Sequence, residues 1–139
     1  MKNKMPLIHW YDSFNVHVRE IDQQHQQLVA MINTLHDAMR ERKTRKILGD
    51  IIDGMIEYAS VHFTTEEKYF DRLDYPDKEA HKAEHRIFVD KVREVKKGFD
   101  EDRVMISVEI MDFLKNWLVK HIQGSDKKFG PYFNRHGLY

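Results

Sequence analysis

Residues 48–73 read LGDIIDGMIEYASVHFTTEEKYFDRL. Within this stretch Leu48, Ile52, Met55, Ala59, His62, Glu66, Tyr69 and Leu73 recur at alternating steps of four and three. That period places all eight on one face of an α-helix, the face that a bundle buries. The same rule governs the chain on either side. Ile21, His25, Leu28, Ile32, Leu35 and Met39 follow it before this helix. His81, His85, Phe88, Val92, Val95 and Phe99 follow it after, and then Val104, Ser107, Met111, Leu114, Leu118 and His121. Strand alternation is not sustained anywhere.

The interruptions agree with four helices. Residues 41–44 are polar, and Tyr75-Pro76-Asp77 breaks the second helix and opens the third. Gly98 is placed to close the third helix, Asp100 or Asp102 to cap the fourth, and Gly124 and Gly130-Pro131 to end it. Connections this short force neighbouring helices to run antiparallel. The expected fold is all-α, an up-down-up-down antiparallel four-helix bundle. It occupies about residues 18–124 of a single domain spanning 1–139, with an irregular N-terminal arm at 1–17 and a C-terminal tail at 125–139.

Composition narrows the function. The chain has 139 residues, 23 Lys+Arg against 23 Asp+Glu, and a pI near 7.1. Nucleic-acid binding draws on a basic excess that is missing here. With no cysteine, disulfides, iron–sulfur clusters and thiol catalysis are excluded. No apolar run reaches membrane-spanning or signal-peptide length, so no membrane partner and a cytoplasmic location are expected. The unusual figure is nine histidines.

Six polar residues stand on the buried stripes: His25, His62, Glu66, His81, His85 and His121. A buried polar group without a partner costs about 1–3 kcal/mol, against a whole-domain stability of about 5–15 kcal/mol. Something must offset them. In an up-down-up-down bundle these residues fall at one end, with a contribution from every helix. His62 with Glu66, and His81 with His85, are i,i+4 pairs that share a helix face, as metal ligands do. Asp126, five residues after His121, would lie about 140° away on a regular helix. A helix ending or a π-bulge near Gly124 brings it back inward and makes it a seventh ligand.

Five histidines and two carboxylates exceed the needs of one tetrahedral zinc. Two octahedral ions offer twelve places. The histidines take five, two bridging carboxylates four and a bridging oxygen two, which leaves one open. Imidazole with carboxylate suits iron, and ligand type alone admits manganese, zinc or cobalt as well. His36 shares the face of His25 but lies roughly 16 Å along the helix, so it reads as a hydrogen-bonded core or boundary residue. His9, His17 and His136 read as surface or packing residues, and Tyr69, Phe70 and Tyr75 as the closure of the metal end.

The segments IDQQHQQL (21–28), HFTTEEKYF (62–70), HKAEH (81–85) and HIQGSDKKF (121–129), in this order on four helices, resemble the hemerythrins, in particular the single-domain bacterial members. The resemblance runs from about His9 to Phe133. It implies two iron ions with a bridging oxo or hydroxo group and reversible O2 binding for storage, delivery or scavenging. In that pattern His81, His85 and His121 hold one iron. His25 and His62 hold the other, which keeps the open position, and Glu66 and Asp126 bridge. The resemblance also places Leu118, Trp117, Phe63 and Ile122 around the O2 pocket, and Leu28 lies one turn after His25. An apolar lining of this kind excludes water. It implies a binding protein, not an enzyme. The competing readings are an O2 or redox sensor acting through a separate protein partner, a di-iron enzyme reducing peroxide or nitric oxide, and an iron buffer.

Overall fold

A computed structural model describes residues 6–103 and 105–139. Four long helical stretches form: α1 (Arg19–Arg40), α2 (Arg45–Arg72), α3 (Lys78–Asp100) and α4 (Val108–Lys120). The fold is an all-α four-helix bundle, and no strand occurs among the described residues. Packing joins α1 to α2, α2 to α3 and α1 to α4. None of the helices is long and apolar enough to cross a membrane.

The buried stripes are those the periodicity marks. Leu28, Ile32, Leu35, Ile52, Met55, Phe88, Val92, Met111, Leu114 and Leu118 join one apolar cluster in the bundle body. At 25 cal/mol per Å2 of apolar area, burying such side chains contributes about 1.5–3 kcal/mol each.

The ends differ from expectation in four places. Ser107, expected on the fourth stripe, is instead the N-cap of α4: its Oγ accepts from the Ile110 N–H at 3.3 Å. Asp100 and Asp102 therefore do not cap α4, and Val104 lies outside the described residues. The third helix runs two residues past Gly98, and Asp102 takes the left-handed conformation (φ 61°) that reverses the chain. Gly124 and Gly130-Pro131 do not stop the fourth helix. It passes through a π-helical turn (His121–Asp126) into α5 (Lys127–Arg135), where a C-terminal tail was expected. Phe129 and Phe133 of α5 are fully buried, which offsets the cost of about 3 kcal/mol for a proline inside a helix.

Over residues 6–17 the N-terminal arm is irregular except for a short 3-10 turn (Asp12–Phe14), and this part is packed down. Ile8 exchanges two hydrogen bonds with Asn33 of α1, its N–H donating at 2.8 Å and its carbonyl accepting at 2.9 Å. The Asp22 carboxylate accepts from the backbone N–H of Val16 and of His17. Val16, Val18, Ile21, Phe70, Tyr75, Phe129 and Phe133 form a second apolar cluster at that end of the bundle.

Candidate metal centre

Between the two apolar clusters lies a polar layer. His25 comes from α1, His62 and Glu66 from α2, His81 and His85 from α3, and His121 and Asp126 from the π-helical turn. All seven are buried, none more than 3% exposed. The π turn accounts for Asp126. Its i→i+5 hydrogen-bond pattern sets residues five apart on nearly one face, so His121 and Asp126 both point inward.

The two carboxylates divide the histidines into groups. Glu66 Oε2 lies 3.2 Å from His25 Nε2 and 2.9 Å from His62 Nε2. Its other oxygen, Oε1, lies 3.1 Å from His85 Nε2 and 3.5 Å from His81 Nε2. Asp126 repeats the division: Oδ2 is 2.9 Å from His25 Nε2, while Oδ1 is 2.8 Å from His81 Nε2 and 3.1 Å from His121 Nε2. Each carboxylate thus spans two sets, one of two histidines and one of three. Every histidine directs Nε2 to the centre.

These side chains fit metal ions better than they fit one another. His85 Nε2, Glu66 Oε1 and both Asp126 oxygens are buried and have no hydrogen bond of proper geometry, although imidazoles crowd them. Four such atoms together carry a penalty that cations between them would remove.

The protonation pattern points the same way. Burial alone would lower His25 and His121, but the Asp126 and Glu66 carboxylates carry them up to about 9 and about 10. His81 rises for the same reason, whereas burial dominates at His62 and lowers it. Burial would raise Glu66, but the charge of His62 and contacts with His25, His62 and His81 hold it well below the carboxylate range. Asp126 is also held well below, by His121 and His25, against burial and the charge of Glu66. In the metal-free protein, then, protons occupy the place of cations between the carboxylates.

Four residues around the centre escaped the sequence reading. The Nδ1 atoms of three of the candidate ligand histidines have outer partners: Gln24 Oε1 at 2.6 Å from His62, Glu67 Oε2 at 2.9 Å from His85, and Glu84 Oε1 at 3.0 Å from His121. Ser125 Oγ donates to both oxygens of Glu84, at 2.7 and 2.8 Å. Contact with His121, outweighing partial burial and aided by Ser125, lowers Glu84 to about 2. The available signal was adjacency: Gln24, Glu67, Glu84 and Ser125 each neighbour a candidate ligand in sequence.

Aromatic rings wall the layer. Phe63 stacks on His85 with centroids 4.0 Å apart, and Trp117 stacks on His121 at 4.5 Å. Leu28, Phe63, Leu118 and Ile122 are buried in the body cluster on that side, with Trp117 packed against it. On the other side Phe70 sits 4.7 Å from the His81 ring, and Tyr75 is buried beside it. His36 is only half-buried and far from the centre, and its Nδ1 has no hydrogen-bond partner, contrary to expectation. His9, His17 and His136 are exposed.

The family model for the hemerythrin HHE cation binding domain matches residues 16–133. The chain belongs to the hemerythrin family. A bacteriohemerythrin of Stenotrophomonas maltophilia is 35% identical over 134 residues, covering 95% of this chain and 85% of that protein. One of Methylococcus capsulatus is 34% identical over 128 residues, covering 91% and 97%. A solved wild-type hemerythrin superposes with a TM-score of 0.85 at 33% identity, covering 90% of this chain and 96% of that one. A family of cation-binding domains and a buried His/Glu/Asp cluster together support non-heme iron binding.

Proposed function

We propose that this hemerythrin-family chain binds O2 reversibly at a di-iron centre, as a carrier, store or scavenger and not as an enzyme. The observation that carries the reading is the split set of histidines. His81, His85 and His121 would hold one ion and His25 and His62 the other, with Glu66 and Asp126 spanning both. The two-histidine side is one ligand short, which is where a small molecule finds a place. A pair of ferrous ions would supply the electrons that hold O2 and recover them when O2 leaves.

The chain's own residues favour release over further chemistry. Five neutral imidazoles and two carboxylates give less negative charge than a carboxylate-rich centre, so O–O cleavage gains less driving force. Leu28, Phe63, Trp117, Leu118 and Ile122 form the apolar side of the layer and would line the O2 pocket. There they would exclude water from the ligand. Trp117 and Phe63 also fix the rings of His121 and His85 by stacking.

The test is a visible spectrum with iron analysis. Iron-loaded protein is reduced without air, exposed to O2 and then evacuated. Colour that comes with O2 and goes under vacuum, at two irons per chain, is the expected result. Immediate irreversible oxidation would end the carrier reading while leaving the metal site in place.

A further inference from the structure

The outer partners of the ligand histidines are unevenly distributed. On the three-histidine side, His85 Nδ1 faces the Glu67 carboxylate and His121 Nδ1 faces the Glu84 carboxylate. On the two-histidine side, His62 Nδ1 faces the neutral amide of Gln24, and His25 Nδ1 is buried with no hydrogen-bond partner among the described residues. A carboxylate on the far nitrogen of a ligand imidazole fixes the tautomer and makes the coordinating nitrogen more basic. A neutral amide fixes the tautomer and adds no charge.

Glu84 is also locked in place. Ser125 Oγ holds both of its oxygens, and Ser125 immediately precedes Asp126 in the π turn. One carboxylate from α3 therefore sets the His121 ring and ties down the turn that presents Asp126. Gly124 does not explain this turn by itself, because a Cβ there would meet nothing within 4 Å.

We infer that the two metal positions are unequal by construction: Glu67 and Glu84, outside the ligand set, make the three-histidine position the tight one, and Gln24 leaves the two-histidine position the labile one. Glu67 and Glu84 are positioning residues, because they act through His85 and His121. The inference rests on the two-metal reading above and adds an order of loading. At limiting metal the three-histidine position fills first, and a chelator empties the two-histidine position first.

The test is titration of the metal-free 139-residue chain with cobalt(II) against a competing chelator, read by visible absorption and metal analysis. Repulsion between two dications alone would give two steps, so the assignment rests on variants. Glu84→Gln and Glu67→Gln should each weaken the first step by about 10–100-fold and leave the second nearly unchanged. Gln24→Glu should tighten the second step and leave the first alone. All three changes are near-isosteric, and the Glu67 and Glu84 side chains are 31% and 41% exposed, so the fold has room for them. Ser125→Ala should act in the direction of Glu84→Gln, and Ser125→Thr should restore the wild-type first step. Equal affinity at both positions, or variants that move both steps together, would overturn the inference and leave the two-metal reading intact. Failure of the wild-type chain to bind a second ion would overturn both.

Discussion

At the scale of single residues, the centre is a set of opposed charges waiting for a cation. His25 and His121 keep their protons up to about pH 9 and about pH 10, and a metal ligand must be a neutral imidazole. Metal loading at pH 7 should therefore release protons. Calorimetric heats in buffers of different ionisation enthalpy measure them, and heats independent of the buffer would contradict the charge pattern. Stability follows the same groups. A histidine whose folded pKa is raised contributes most below its unfolded value near 6.5, and the contribution disappears as pH rises through the folded value. Glu66 and Asp126, with lowered pKa, contribute above the usual carboxylate range and lose that contribution on acidification. The metal-free protein should thus melt at lower temperature at pH 10 than at pH 7. The loaded protein, whose histidines are already neutral, should lack that alkaline loss. Thermal melts of both forms at the two pH values decide it. Glu66→Ala is the sharpest single change. It leaves several imidazoles facing a buried gap, and breaking such a pair costs about 3–5 kcal/mol. Two metals per chain at full stability in that variant would refute the role given to Glu66.

At the scale of elements, the helix centres were legible in the sequence and the helix ends were not. Side-chain period identifies a buried face, and the five histidines and the glutamate it marks on the stripes converge on the centre, whereas Ser107 caps α4 instead. Ends depend on backbone conformation, which residue type reports weakly. Arg42, Asp74 and Asp102 all adopt the left-handed conformation just after α1, α2 and α3. In each case the next N–H bonds back to the last turn: Lys43 to Ala38, Tyr75 to Phe70 and Arg103 to Gly98. Gly98, the glycine near the end of α3, only supplies the acceptor. Gly130 misled in the opposite sense. A Cβ there would overlap the Val16 carbonyl oxygen, so this glycine serves a close approach of the arm to α5 and ends nothing. Gly130→Ala should push the arm away and destabilise by about 1–3 kcal/mol. Arg42→Gly should stabilise by about 0.5–1 kcal/mol, since it relieves a left-handed side-chain residue on the surface. Denaturant melts measure both, and equal effects of the two substitutions would show that the backbone argument is wrong. The outer partners of the histidines were hidden for a related reason. Gln24, Glu67, Glu84 and Ser125 lie off the core stripe, where polar residues are ordinary, and only the packed geometry gives them a direction.

At the scale of the whole molecule, the polar layer divides one chain into two apolar regions. The larger holds Ile32, Leu35, Ile52, Met55, Met111 and Leu114, all apolar, and contains none of the candidate ligands. The smaller joins the N-terminal arm, the end of α2 and α5 through Val16, Val18, Phe70, Phe129 and Phe133. It reaches the bundle across the very residues that would hold the ions. A ligand that binds only the folded centre stabilises it by mass action, and the gain falls on whatever must open to release that ligand. Metal removal should therefore loosen this end selectively. Hydrogen exchange would show it as lost protection in α5, in the π-helical turn and at residues 16–18, with protection kept at Ile32, Ile52 and Met111. The pattern is specific to a centre that ties two clusters together. Loss spread evenly over all four helices would mean that the layer supports the fold as a whole. Unchanged exchange in α5 would mean that Phe129 and Phe133 alone hold this end, and that the chain acquires its metal site already closed.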